Sequence, residues 1–144
     1  MGNPWLVAGG VLSTVASLLH LACIVGGPSW YRFFGAGEAF ARAAARGSPV
    51  PALVTLAIAT GLAIWAAYAF SGAGLIPRLP LIRIGLAVIA AIYLIRAVVF
   101  IPVLWLSGQP VGAFAIWSSL VVLVYGAAYA IGLSQSWNAL GRPA

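Results

Sequence analysis

Charged side chains are almost missing from this sequence. Only 6% of its 144 residues are charged, Glu38 is the single acid, and all seven basic residues are arginines because the chain has no lysine. Soluble domains carry about a quarter charged residues, because a surface in water needs them. The scarcity of charge, the 64% of hydrophobic residues and the mean hydropathy of +1.12 indicate that lipid is the solvent for most of the surface.

Cysteine and histidine each occur once, which excludes several kinds of chemistry. Cys23 alone cannot form an intrachain disulfide, a CxxC redox pair or a thiolate cluster. It falls within an apolar run, where we interpret it as a small core residue. His20 has no second histidine or cysteine with metal-ligand spacing, so we expect neither a metal site nor a cofactor.

The arginines are scattered singly beside apolar runs. A net charge of +6 would suit a nucleic-acid-binding protein, but single arginines at the ends of apolar runs are typical of side chains that lie at lipid headgroups. We therefore expect membrane lipids, and no nucleic acid, as partners. Arginine used without lysine, together with abundant alanine and glycine, fits a GC-rich bacterial genome, and we expect a bacterial inner membrane protein.

Four long apolar runs divide the chain and predict its fold class. The predicted spans are residues 5–25, 51–70, 81–106 and 113–133 of a single membrane domain, residues 1–144. Each run can cross roughly 30 Å of hydrocarbon at about 1.5 Å per residue. Because the second and third loops are short, we predict an all-α integral membrane protein whose four helices form an antiparallel up-down-up-down bundle. The first run should end at Gly26-Gly27-Pro28, and a polar tail should follow Leu133.

The first loop is the longest and contains half of the charged residues. Residues 36–46 favour a helix, with Glu38, Arg42 and Arg46 at intervals of four on one face. We predict a short interfacial helix here, preceded by a cluster of aromatic residues that includes Trp30 and Tyr31.

The four-span order places both termini on the same side of the membrane. That side would have Arg78, Arg83 and Arg142, while the other would have Arg32, Arg42 and Arg46. Equal numbers of basic residues leave the orientation of the protein open.

Two ionisable residues, His20 and Arg96, fall inside predicted spans. An ionisable group in the hydrocarbon region is costly, so it usually faces the interior of a bundle and has a partner there. The first span ends at the first loop and the third span runs back towards it. We therefore expect both side chains to lie in the half of the membrane nearer that loop.

These observations predict a polar ligand-binding site under the first loop. Its candidate residues are Arg96, His20, Tyr93, Ser118 and Tyr125 from the spans, with Glu38, Arg32, Trp30 and Tyr31 from the loop. Two partners for Glu38 stay open at this point. Arg42, one helical turn further on, would give a local surface pair, and Arg96 would give a pair directed into the bundle.

The leading hypothesis is a protein that binds a lipid-like amphipathic molecule at this site. One alternative is a membrane-embedded enzyme acting on a lipidic substrate, with His20 or Glu38 as the catalytic acid or base. A second alternative is a small transporter or channel subunit, although spans without acids disfavour cation coupling; a purely structural role is a third. Because four short helices bury little surface, and small-residue pairs such as Gly9–Ser13 permit close helix contacts, we also expect a homo-oligomer.

Overall fold

The computed structural model describes residues 2–141, in which every element is a helix. The helices are α1 (Pro4–Phe33), α2 (Glu38–Ala45), α3 (Val50–Gly72), α4 (Ile82–Leu106) and α5 (Ala113–Leu140). All except α2 are long and apolar enough to cross a membrane. The predicted all-α fold, with four apolar spans and a short helix after the first, is thereby confirmed. Arg142, counted above for orientation, lies outside the described residues.

The predicted end of the first span is a kink inside α1. Gly27 has φ 64° and ψ −148°, a backbone conformation open essentially to glycine, and the chain then becomes helical again as far as Phe33. Pro28 is tolerated there because the first turn of a helix needs no N–H from it. The prediction that residues 29–33 belong to the first loop is therefore wrong, although the break itself is where the sequence predicted it.

Helix α5 continues through the segment that was predicted to be a polar tail. Asn3 Nδ2 donates to the Gly132 carbonyl at 3.2 Å and to Ser136 Oγ at 2.9 Å. Arg83 Nε donates to the Trp137 carbonyl at 2.8 Å. These contacts give the polar residues of the last turns partners on α1 and α4, so the segment stays helical after the apolar run has ended.

The chain forms two compact units, and both α1 and α3 contribute to each. The first unit comprises Met1–Ser13 and Trp65–Ala144. Within it, a Cβ atom on Gly72 would lie 3.0 Å from Leu6 and 2.8 Å from Leu86, so the end of α3 packs against the starts of α1 and α4. The bond from Asn3 to Ser136 joins the start of α1 to the end of α5. Consecutive long helices in this unit are therefore antiparallel.

The second unit, Thr14–Ile64, packs α2 against α1. Ala41 of α2 is fully buried and clusters with Cys23 and Tyr31, and Phe40 meets the Tyr31 ring edge-on with centroids 5.3 Å apart. Ser17 Oγ of α1 donates to the Ala59 carbonyl of α3 at 2.8 Å. Cys23 is a buried core residue, as its apolar context predicted.

Candidate ligand-binding site

A cavity of about 310 Å³ lies within the second unit, between α1, α2 and the first turns of α3. We call it the His20 cavity. It is lined by His20, Cys23, Tyr31, Phe34, Ala36, Phe40, Thr55 and Ile58. The lining is mainly aromatic and aliphatic and contains no carboxylate, guanidinium or amine. A concave apolar site with a few polar groups is the usual form of a small-molecule site.

Tyr31 lines this cavity, and its hydroxyl has no hydrogen-bond partner among the described residues. The residue is only 4% exposed, and its hydroxyl is buried without a hydrogen-bond partner in the described chain. Most buried side-chain polar atoms in proteins are paired, and leaving one unpaired costs about 1–3 kcal/mol. The donor and acceptor functions of the Tyr31 hydroxyl are therefore unused among the described residues.

His20 is held in a defined orientation by its own helix. Its Nδ1 lies 2.7 Å from the Ala16 carbonyl oxygen. Because a carbonyl can only accept, Nδ1 must carry the proton and donate. In the neutral ring Nε2 is then an acceptor, and no residue of the described range bonds to it. Two residues of the lining thus have hydrogen-bonding atoms without a partner among the described residues, the Nε2 acceptor of His20 and the hydroxyl of Tyr31.

A second apolar hollow of about 480 Å³ in the same unit shares Phe34 with the His20 cavity. We call it the aromatic groove. Leu19, Ser29, Trp30, Phe33 and Phe34 form its walls. The Phe33 and Phe34 rings meet edge-on with centroids 5.0 Å apart, and Trp30 is tilted against Phe34 at 5.9 Å. This groove provides an apolar surface next to the more polar cavity.

Glu38 is paired with Arg32, which is neither of the partners considered from the sequence. Arg32 Nε donates to Oε2 at 2.8 Å and the Nη2 group donates to Oε1 at 3.1 Å, so the pair is bidentate. This hydrogen bonding lowers the pKa of the Glu38 carboxyl, and Arg42 adds a smaller contribution in the same direction. Both predicted partners of Glu38 are therefore wrong, Arg42 in the local pair and Arg96 in the inward pair.

Tyr93 belongs to a hydrogen-bonded cluster in the first unit, and the Tyr125 ring packs against it. Ser13 Oγ lies 2.9 Å from the hydroxyls of both Tyr93 and Tyr129, and Tyr129 donates to the Trp65 carbonyl at 2.9 Å. The Tyr129 proton is used by that carbonyl, so Ser13 donates to Tyr129 and Tyr93 donates to Ser13. The Tyr93 and Tyr125 rings are 5.5 Å apart. A chain in which each hydroxyl has its acceptor stabilises packing and needs no ligand.

Arg96 and Ser118 are brought together, as the sequence predicted. Arg96 Nη2 donates to Ser118 Oγ at 3.3 Å and Nη1 donates to Ser119 Oγ at 3.4 Å, both long bonds. The guanidinium carbon lies 3.9 Å from the centre of the Phe100 ring. In the part of the chain that the structure describes, no carboxylate pairs with this guanidinium.

The predicted site residues are thus distributed over both units. His20, Trp30, Tyr31, Arg32 and Glu38 lie in the second unit, while the remainder lie in the first. The predicted convergence of His20 with Arg96 stays a prediction.

Sequence reasoning missed the cavity contributions of Phe34, Phe40 and Thr55. The aromatic cluster in the first loop was the available signal for Phe34 and Phe40. Nothing in the sequence singled out Thr55.

Comparison with protein-family models, with curated proteins and with solved structures finds no match for this chain. A functional interpretation therefore depends on the residues and their geometry.

Proposed function

We propose that this membrane protein binds a lipid-like amphipathic molecule whose polar head occupies the His20 cavity and whose apolar part lies in the aromatic groove. The observation that carries the proposal is that Tyr31, which lines that cavity, has a buried hydroxyl without a partner among the described residues. A bound head group would supply the missing hydrogen bond.

The donors and acceptors of the cavity define the chemistry of the head. With Nδ1 donating to Ala16, the neutral His20 ring can only accept at Nε2. The head must therefore donate a hydrogen bond, and its own oxygen can accept one from Tyr31. Because none of the described residues that line the cavity is charged, a charged head would be desolvated without compensation. An uncharged hydroxyl, as in an alcohol or a quinol, meets all three requirements.

The size of the cavity favours a ligand that is only partly enclosed. A volume of about 310 Å³ equals roughly ten water molecules at about 30 Å³ each. That volume is enough for a ring or a short polar head but not for a complete lipid. The neighbouring groove shares Phe34 with the cavity and presents Trp30 and Phe33, which suits an alkyl or isoprenoid chain.

We also infer that the membrane is the bacterial inner membrane. The support is the composition, seven arginines without lysine in a chain rich in alanine and glycine, and the use of apolar helices as the candidate spans. Fractionation of a bacterial host should place the protein with inner-membrane markers.

The experiment that tests the binding proposal is mass spectrometry of the molecules that accompany the protein through purification in a mild detergent. We expect the wild-type protein to retain an apolar molecule with a free hydroxyl in roughly stoichiometric amount. Tyr31→Phe removes one hydrogen bond to the head, and a bond worth about 1 kcal/mol corresponds to about fivefold weaker retention. His20→Ala should weaken retention further, because it removes both an acceptor and part of the wall.

Tyr68→Phe is the matched control for this experiment. Tyr68 lies in the first unit and donates its hydroxyl to the Pro80 carbonyl at 3.2 Å, so its loss should leave retention unchanged. Retention that is equal in the wild-type and Tyr31→Phe proteins would contradict the proposal. So would a wild-type protein that carries only bulk phospholipid.

A further inference from the structure

We propose that the outward face of α4 around Arg96 is a binding site for an anionic phospholipid of the surrounding membrane, with the phosphate on the guanidinium and an acyl chain in the adjoining groove. This site is in the first unit and is separate from the His20 cavity.

The charge on Arg96 is the first reason. Glu38 is the only acidic residue of the chain, and both of its carboxylate oxygens accept from Arg32. Among residues 2–141, the partners of Arg96 are the neutral hydroxyls of Ser118 and Ser119, at 3.3 and 3.4 Å, and the Phe100 ring. A guanidinium in a membrane span needs compensation for lost hydration. A bilayer contains one abundant anion that can provide it, the lipid phosphate.

The surface next to Arg96 is shaped for an alkyl chain. A shallow groove of about 390 Å³ is formed by Arg96 and Phe100 with Ile92, Ile95, Val99 and Val103. The aliphatic members recur along one face of α4. Ile95 is 60% and Val99 is 44% exposed, so the described chain leaves the groove open on the side where lipid would lie.

The depth of Arg96 is compatible with a headgroup. Helix α4 has 25 residues and is therefore about 37 Å long, so roughly 4 Å at each end extend beyond a hydrocarbon core about 30 Å thick. Arg96 is ten residues from the end of α4 at Leu106, and its guanidinium extends over Phe100, one turn closer to that end. The group thus lies about 9–15 Å from the helix end, and arginines at such depths draw headgroups inward by local thinning of the bilayer.

The test is lipid selectivity in vesicles of phosphatidylcholine with and without phosphatidylglycerol, followed by release into detergent and native mass spectrometry. We expect retained phosphatidylglycerol to be enriched about tenfold over its share in the vesicle, because its phosphate charge is not offset by a choline cation as it is in phosphatidylcholine, and charge-assisted bonds to a net anion are strong. Arg96→Gln should abolish the enrichment. Arg42→Gln removes the same charge from α2 and should leave the enrichment intact.

A second pair of variants tests the groove without changing charge. Val99→Trp fills it and should reduce the enrichment, whereas Val88→Trp, at a similarly exposed position on the same helix, should not. Enrichment that persists in Arg96→Gln would overturn the proposal, as would equal losses in Arg96→Gln and Arg42→Gln. Preferential retention of added oleate over phosphatidylglycerol would also overturn it, because the anion would then be a carboxylate.

Discussion

Two buried tyrosines, Tyr31 and Tyr129, differ in what their hydroxyls meet. The Tyr129 hydroxyl bonds to Ser13 and to the Trp65 carbonyl, while the Tyr31 hydroxyl has no partner among the described residues. The two side chains are nearly equally buried, so burial alone does not distinguish a tyrosine hydroxyl that is paired within the protein from one that is not. The hydrogen-bond inventory does distinguish them.

This difference predicts opposite effects of the same substitution. In protein stripped of bound lipid, Tyr31→Phe removes an unpaired polar atom and should raise the free energy of unfolding, by up to about 1–3 kcal/mol. Tyr129→Phe removes the acceptor of the Ser13 hydroxyl proton and the side-chain bond to the Trp65 carbonyl, and should lower the free energy of unfolding by a similar amount. Thermal unfolding in one detergent measures both. Destabilisation by Tyr31→Phe would show that its hydroxyl has a partner within the protein.

The Arg32–Glu38 pair predicts a pH dependence of known sign. The pKa of Glu38 is lowered in the folded protein by its hydrogen bond from Arg32. The pair therefore stabilises the protein above the ordinary pKa of a glutamate, about 4.3. That contribution is lost as the pH falls through the lowered folded value. Both side chains are about half exposed, so the contribution is small.

Carbon NMR of protein labelled at glutamate can follow this titration, because Glu38 is the only glutamate. The midpoint should lie lower in the wild type than in Arg32→Gln. A matched Arg46→Gln variant should keep the wild-type midpoint, since Arg46 is not among the groups that shift the Glu38 pKa. Equal midpoints in the wild type and Arg32→Gln would contradict the pairing.

The identity of this partner could not be predicted from the sequence for a geometric reason. The spacing of four residues favours Arg42 if only the helix is considered. The chain instead turns through Gly35 and Gly37, with φ of 68° and 95°, and this turn brings Arg32 to the carboxylate. A turn that depends on two glycines in the left-handed region can be anticipated as a turn but not in its direction.

In helix α1, one sequence signal for a helix break is compatible with two paths of the chain after the break. Gly-Gly-Pro predicts a break in a helix, and the sequence does not say whether the chain then leaves or resumes the helix. Packing decides, because Tyr31, which follows the kink, is buried with Cys23 and Ala41. The resumed turn is what delivers Tyr31 to the His20 cavity.

The kink predicts that Gly27→Ala is destabilising. An alanine at φ 64° and ψ −148° should cost about 1–3 kcal/mol, and it should also weaken ligand retention because Tyr31 moves. Gly61→Ala is the control, since a Cβ atom there meets nothing within 4 Å and alanine favours α-helix by about 1 kcal/mol. Thermal unfolding of the two variants should shift in opposite directions. A neutral Gly27→Ala would contradict the assigned backbone.

The extension of α5 beyond its apolar run depends on a residue that is far away in the sequence. Asn3 caps α1, accepting at Oδ1 from the Trp5 and Leu6 amides at 3.0 and 3.2 Å. The same side chain also bonds to the last turns of α5. Local composition predicts coil for those turns, and only the packing of α5 against α1 reverses that prediction.

Asn3→Ala should therefore lower the stability by more than the roughly 1 kcal/mol typical of a helix cap, because it removes contacts in two helices. The control is Asn138→Ala, which changes an exposed asparagine at the end of α5. This substitution should change the stability of the protein little. Hydrogen exchange of residues 134–140 should become faster in Asn3→Ala alone. Unchanged exchange there would mean that the end of α5 does not depend on Asn3.

At the scale of the whole molecule, hydropathy determines most of the fold. The four apolar runs lie within the four long helices, except that Leu81 directly precedes α4, because a long apolar segment has few alternatives to a spanning helix. The site is less predictable. His20 is a candidate because it is an ionisable residue in a span, and Tyr31 is a candidate because it belongs to an aromatic cluster. Their association with Thr55 and Phe40 depends on how α2 folds back, which no local pattern encodes.

Nitrogen NMR of the imidazole can show directly whether the His20 cavity binds a hydroxyl head. His20 is the only histidine of the chain, so tag-free protein labelled at histidine gives the signals of one ring. We predict that a long-chain alcohol shifts the Nε2 signal while Nδ1 stays protonated. The matching alkane should leave Nε2 unchanged, and Tyr31→Phe should weaken the response about fivefold. An Nε2 signal that does not move with saturating alcohol, or that moves equally with the alkane, would contradict the binding of a hydroxyl head in the His20 cavity.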